Sequence, residues 1–378
     1  MNILFISASF PLEKSGIGDS AEKLLSEFDK LEEVNITLLT TSYKEIKEFV
    51  SKSQYKNKTY YFDNWSFSFK KVKEVKRIIK EKHIDVIHID YPGGAYKKGL
   101  FASILPLYIR FSNIFRSNKV RVNLRLHEFT KARLLRKIVV ILMLLFSHKV
   151  FIPALHDYKT VKKYFGNKIK KTLIGSNIEC NKLNKKTDDH YVNLAYFGFV
   201  YHNKGVEKLI SIFKDIKAID KEKKFKFTIM GEIKPGEEDD RSRFHKMICK
   251  LIKDSGLEED IRITGYLSNE DVIREMEKVD IAVLPFDDGL SLRRGSFLAF
   301  LGNGVPIVTT DGDDECYDMF KNAKGIFMGK SKEEMIETIL SWSREKDKLI
   351  EKGQENQKLS ENFRWDKIAK SMIKEYYN

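Results

Sequence analysis

The chain reads as two consecutive doubly wound α/β domains, and three observations carry that expectation. Its 378 residues exceed what one ordinary core organises and suit two domains of common size. Short apolar strand patterns alternate with helix-length segments, which implies βαβ units and parallel sheets. The alternation then restarts after a polar stretch, NIECNKLNKKTDDHY at 177–191, which has no apolar period and reads as a linker.

In the first half, NILFISA at 2–8 predicts a buried strand, followed by a Pro/Gly loop, a helix from about Asp19 and a strand VNITLLTT at 34–41. A basic helix near 70–82, strand DVIHID at 85–90, an apolar helix near 95–116, strand VRVNLRL at 120–126 and a second apolar helix near 130–147 continue the pattern. The second half opens with strand VNLAYFG at 192–198 and a helix from near Gly205. FKFTIMG, a helix near 239–255, IRITG, a short helix with Ser268 and Asp271 as a capping box, IAVLPF and PIVTT at 306–310 follow. FRWDKIAKSMIKEYY at 363–377 reads as an amphipathic final helix.

Composition narrows the class. Hydrophobic residues make up 42% and charged residues 32%, as expected of a globular protein rather than a disordered one. Cys180, Cys249 and Cys316 are odd in number and far apart, so neither a disulfide framework nor a zinc site is expected, and a reducing cytosol is the simplest setting. No signal-like apolar core follows the first residues, and the longest apolar run, 138–146, is too short to span a bilayer.

The net charge of +14 is unevenly placed. Residues 1–178 hold 33 Lys and Arg against 16 Asp and Glu, and within 101–178 the ratio is 16 to 2. Such a field attracts polyanions, with a solvated basic surface as the plain alternative. The basic region lacks an aromatic-interleaved RNA signature or a helix-turn-helix pattern, so no nucleic acid is expected. Instead, the basic residues flank the apolar helices at 95–149, which suits attachment to the anionic inner face of the cell membrane.

The chemistry concentrates in VDIAVLPFDDGLSLRRGSFLAFLGNGVPIVTT at 279–310. A strand here delivers Arg293, Arg294, Gly295 and Ser296 to a helix N-terminus, whose first N–H groups lack intrahelical partners and whose dipole adds positive potential. Phosphate is the expected guest, held by guanidinium forks, unless both arginines cap carboxylates on a neighbouring helix. Gly231 and Gly265 end strands, where backbone can approach a ligand; strand-end turns use glycine in any case. Gly16 and Gly18 are expected in the loop after the first strand.

That segment, with LAYFGFVYHNKGVEKLI at 194–210, FKFTIMGE at 225–232 and IRITGYLSNEDV at 261–272, resembles the donor-binding half of the retaining group 1 (GT4-like) glycosyltransferases. ILFISASFPLEKSGIGDSAEKLL at 3–25, DVIHIDYP at 85–92, LRLHEF at 124–129 and IGSNI at 174–178 match the other half more loosely. The resemblance implies the GT-B architecture: two Rossmann-like α/β domains facing each other across a cleft. The implied divisions are an acceptor domain at 1–178, a nucleotide-sugar domain at 179–362, and a helix at 363–378 crossing back to the first.

It also implies roles. Gly198 and Lys204 fall in the family's phosphate loop, with Lys204 neutralising the donor diphosphate; Phe199 stands where the family has arginine, and Arg293 or Arg294 could supply that cation. Gly265, Tyr266 and Leu267 would hold the base through backbone groups, with Gly231 and Glu232 nearby. His127 matches a histidine facing the transferred sugar, while Gly16, Gly18, Asp90, Tyr91 and Glu128 fall on the acceptor and phosphate-loop side. The family's two glutamates are missing: Ala299 holds the second position and Ser291 or Gly289 the first, which leaves Asp287 or Asp288 to substitute.

The implied activity is retaining transfer of a sugar from a nucleotide-sugar to a glycan or lipid-linked acceptor in cell-surface polysaccharide or glycoconjugate synthesis. The nucleotide-sugar is a substrate; no cofactor and no metal are expected. The alternative is a catalytically silent homologue serving as a binding or accessory subunit.

Overall fold

The computed structural model describes residues 1–9, 16–41, 58–62, 66, 68–92, 96, 99–115, 119–179, 190–202, 204–222, 224–232 and 240–377. The Pro/Gly loop after the first strand and most of the linker lie outside them. Two compact units result: Met1–Gly175 together with the chain from Trp365 on, and Ser176–Arg364.

The first unit runs β1 (Asn2–Ser7), α1 (Gly16–Asp29), β2 (Asn35–Thr41), β3 (Lys58–Phe62), α2 (Phe69–Glu81), β4 (Val86–Tyr91), α3 (Phe101–Ser112), β5 (Arg121–Leu126), α4 (Leu134–Phe146), β6 (Lys149–Ile152), α5 (Leu155–Phe165) and β7 (Ile169–Lys171). Its seven parallel strands lie in the order β3-β2-β1-β4-β5-β6-β7. Helix α1 begins at Gly16 rather than at about Asp19, which sits in its first turn, and Gly16 and Gly18 open a helix instead of lying in a loop. Helix α3 is shorter than its apolar run because Asn113 exchanges two hydrogen bonds with the backbone of Val120, at 2.7 and 3.0 Å, and turns the chain into β5.

The second unit runs β8 (Tyr191–Phe197), α6 (Val206–Ile219), β9 (Lys224–Met230), α7 (Asp240–Asp254), β10 (Ile261–Ile263), α8 (Asn269–Met276), β11 (Ile281–Leu284), α9 (Gly295–Gly302), β12 (Ile307–Thr310), α10 (Asp314–Phe320), β13 (Ile326–Gly329), α11 (Lys332–Arg344) and α12 (Lys346–Ser360). Its six parallel strands are ordered β10-β9-β8-β11-β12-β13. Ser268 caps α8, accepting from the Asp271 N–H at 3.2 Å and donating to its carboxylate at 2.7 Å.

The final helix α13 (Trp365–Tyr377) belongs to the first unit, where it packs with α1 over one face of the seven-stranded sheet. Helices α2, α3 and α4 cover the other face. Gly175 allows the chain to leave beside Trp365, because a Cβ there would stand 2.7 Å from the indole ring.

Candidate active site

In a doubly wound sheet the crevice for a ligand opens where the strand order reverses, beyond the carboxyl ends of the strands. In the second unit that point lies between β8 and β11. The loop after β8 carries Gly198, Lys204 and Gly205; the loop after β11 carries Asp287, Asp288, Arg293 and Arg294 into α9. Close backbone approach holds these loops together. A Cβ on Gly205, at φ +75°, would collide with the carbonyl oxygen of Pro285, and one on Gly231 would collide with that of Gly198. The glycine at 231 is therefore explained by packing between strand ends, with Glu232 half-buried beside it.

Arg294 is the N-cap residue of α9 and gives it no side-chain cap. Its backbone carbonyl accepts from Leu298 at 3.0 Å, leaving the N–H groups of Gly295, Ser296 and Phe297 ahead of the helical ladder. Ser296 lies against Gly198, its Cβ 3.8 Å from where a Gly198 Cβ would be, so the α9 N-terminus meets the β8 loop. The Arg294 guanidinium stacks over the Phe286 ring at 4.3 Å and is paired with Asp288, on its own loop rather than on a neighbouring helix. Burial, and then the nearby Arg294 charge, push the Lys204 ammonium below its ordinary pKa, with Asp288 opposing. Two cations and the Asp288 carboxylate share one partly buried spot beside a helix N-terminus, an arrangement able to hold an anion.

Arg293 is exposed one residue away. Gly265, at φ +74°, ends the β10 loop with open space where a Cβ would be; Tyr266 beside it is exposed and Leu267 half-buried.

The first unit has its reversal between β1 and β4. There the parallel register aligns Thr40, Ser7, Asp90, Arg125 and Phe151 in one row across five strands. Asp90 is fully buried; it takes a 2.8 Å hydrogen bond from His127 Nε2 and lies 3.6 Å from Arg125 Nη1. Burial raises the Asp90 carboxyl, but the His127 and Arg125 charges beside it outweigh that and hold it below the usual range. Arg125 donates to Ser20 Oγ at 2.8 Å and lies 5.5 Å from the Trp365 ring of α13. His127 follows β5, nearly buried, and Glu128 is exposed beside it. Tyr91 stacks on Tyr96 in the apolar core at 5.1 Å, with its hydroxyl 3.3 Å from Ser103. Structure thus joins Asp90 and His127 and sends Tyr91 inward.

A second buried group in the row below is His88, stacked between Phe5 and Tyr376 at 4.8 and 5.9 Å. Burial pushes its pKa down to about 3, so the ring is neutral, and its Nδ1 shares a hydrogen bond with the Tyr376 hydroxyl of α13. Arg125 and His88 were missed as site-supporting residues by sequence reasoning. The signal was available: VIHID and VNLRL place a polar residue at every second position, so His88, Asp90, Asn123 and Arg125 share one sheet face.

The titration has a sign. The folded pKa of about 3 lies below the unfolded value of about 6.5, so the unfolded chain gains the proton first. Stability from neutral His88 is complete above pH 6.5 and is lost towards pH 3, at about 1.4 kcal/mol per pH unit. Urea unfolding of wild type and His88→Gln should show a stability gap that narrows by about 2 kcal/mol between pH 7 and pH 5. Parallel curves over that range would assign the acid sensitivity elsewhere.

Residues 192–344 match the family described as glycosyl transferases group 1. The match spans the second unit from β8 to the end of α11. The whole chain has the two-domain glycosyltransferase fold, GT-B. It is similar to a glycosyltransferase from Rickettsia africae, at 15% identity and TM-score 0.73 over 99% of this chain and 97% of that one. It is similar to a sucrose-phosphate synthase from Thermosynechococcus elongatus, at 12% identity and 0.71 over 100% and 98%. The Anabaena protein HepE, solved with UDP and glucose, superposes at 0.70 with 13% identity over 99% of each chain. No curated protein matches the sequence.

Within the matched stretch, the departures from the family pattern have structural consequences. Ala299 is wholly buried in α9. Asp287 is bound to Lys208 at 2.8 Å and Asp288 to Arg294, so both candidate replacements for the absent glutamates are engaged by cations. Phe199 is 48% exposed, and the Arg241 guanidinium of α7 lies 5.7 Å from its ring.

Proposed function

We propose that the protein transfers a sugar from a nucleoside-diphosphate donor to a glycan or lipid-linked acceptor, with retention at the anomeric carbon, in cell-surface polysaccharide or glycoconjugate synthesis. The observation that carries this reading is the convergence of Lys204, Arg294 and the first-turn amides of α9 at the sheet's reversal point. In HepE the fold is seen with UDP and glucose, which makes a nucleotide-sugar the first donor to test.

In the proposed reaction the bond from the anomeric carbon to the donor phosphate oxygen breaks and the bond to the acceptor oxygen forms on the same face. The acceptor proton passes to the departing diphosphate. Such a step needs charge stabilisation at the leaving group and positioning more than it needs a protein nucleophile. Lys204 and Arg294 supply that charge from the protein itself, so we propose transfer without a metal or cofactor. We propose that His127, whose Nε2 is hydrogen-bonded to Asp90, acts on the transferred sugar.

A thermal-shift series with UDP-, GDP-, ADP- and CMP-sugars tests the reading: one donor at a hundredfold its dissociation constant should stabilise the chain by about 2.7 kcal/mol. His127→Ala should retain that shift and the melting temperature while losing turnover. Stabilisation by none of the four donors overturns the donor assignment. Donor binding with neither transfer nor hydrolysis would instead favour the silent accessory subunit, a reading supported by Ala299 and Phe199.

A further inference from the structure

Helix α4 is apolar on two sides. Val140, Met143 and Leu144 are buried in the unit's core, yet Leu134, Leu135, Ile138, Ile141, Leu142 and Leu145 are 38–79% exposed. Their spacing puts all six on one helical face about 20 Å long. Phe111 and Ile114, 57% and 69% exposed at the end of α3, extend the face, and Phe111 lies 6.2 Å from the Phe146 ring. An exposed apolar surface of this extent marks an interaction site rather than scattered surface residues.

Two further features identify the partner. Cations stand at one end of the face: Lys131 and Arg133 lead into α4, Arg136 and Lys137 lie in its first turn, and no acidic residue occurs from 129 to 156. Three carbonyls of the last turn of α4, those of Met143, Leu144 and Leu145, are held by the protein. Met143 O accepts from the Ser147 backbone N–H at 3.0 Å and from its hydroxyl at 2.7 Å. Lys168 Nζ donates to Leu144 O at 2.5 Å and Leu145 O at 3.3 Å. A helix end whose polar groups are satisfied internally can be carried into a phase that offers no hydrogen bonds.

We propose that the exposed face of α4, extended by the end of α3, seats the protein on the surface of an anionic phospholipid bilayer. The helix has 13 residues, too few to cross a bilayer, so it lies in the interfacial plane with its aliphatic side chains inserted and its cations among the headgroups. No helix among the described residues is long and apolar enough to cross a membrane. A second copy is the poorer occupant, because its α4 segment, without an acidic residue from 129 to 156, offers these cations no counter-charge. The inference goes beyond sugar transfer and needs no part of the donor site.

Vesicle sedimentation of the full chain tests it, with phosphatidylcholine alone and with phosphatidylcholine and phosphatidylglycerol mixed two to one. Binding should be strong on the mixed vesicles, at least about tenfold weaker on the neutral ones, and reduced by salt. Leu135→Ser with Ile138→Ser should abolish it while leaving the melting temperature and any donor-induced shift intact. Lys131→Gln with Arg133→Gln should weaken it about thirtyfold, the equivalent of roughly 1 kcal/mol per charge. Absence of binding to mixed vesicles at low ionic strength, equal binding to both kinds, or undiminished binding by the Leu135/Ile138 variant overturns the proposal. Self-association that this variant loses, with no vesicle binding by wild type, would assign the face to a second copy.

Discussion

Replacing Asp90 with Ala is expected to cost about 3–5 kcal/mol of stability, because it strands a fully buried arginine without its counter-charge. Arg125 would keep only the Ser20 hydroxyl and the distant Trp365 face, while its Nε already finds no hydrogen-bond partner among the described residues. His127 would lose its anchor at the same time. The pair itself need not be strongly stabilising, since desolvating two ions offsets most of their attraction. A double replacement, Asp90→Leu with Arg125→Met, should therefore recover much of the loss seen for Asp90→Ala. Urea unfolding at neutral pH distinguishes the cases: a single-variant loss below about 1 kcal/mol would mean that water or rearrangement rescues the guanidinium. His127→Ala leaves Asp90 facing Arg125, so its stability cost should be the smaller and its effect on turnover the larger.

The sequence and the structure agree where a physical signal is long. Strands such as 2–7 and 86–91 and helices such as 206–219 stand in continuous apolar runs or full helical periods, and they were legible to within a residue or two. Strands β6, β7 and β13, only three or four residues long, were not, because a segment that short carries too few alternations to be told from a loop. That Lys204 and Arg294 come near each other was legible because both follow strands whose carboxyl ends border the sheet's reversal point. What composition could not reveal is pairing: Asp288 holding Arg294, or α13 returning Tyr376 and Trp365 to His88 and Arg125, depends on contacts hundreds of residues apart or on loop geometry. The unmatched feature of α4 was half legible. Its apolar run was plain, but a stripe left exposed looks the same in sequence as one buried on a sheet.

Arg294→Gln and Lys204→Ala should each raise the donor dissociation constant about tenfold to a hundredfold, the loss expected for a charge-assisted hydrogen bond of about 1.5–3 kcal/mol. The two should not be equal. Asp288 is neutralised by Arg294 in the free protein, so removing the guanidinium leaves a carboxylate beside the diphosphate and adds repulsion to the lost attraction. Lys204→Ala removes one of two crowded cations, and Arg294 remains to meet the phosphate. The Arg294 variant should accordingly be the weaker binder, and adding Asp288→Asn to it should restore part of the affinity. Glutamine keeps part of the stem that packs on Phe286, which limits the effect on folding, and melting temperature provides the check. Arg293, exposed and outside the stack, should matter less. Calorimetric titration with the nucleoside diphosphate chosen by the thermal-shift series would measure all four variants. Wild-type affinity in both Arg294→Gln and Lys204→Ala, with the fold intact, would remove the donor phosphate from the α9 N-terminus and return its charges to a purely structural role.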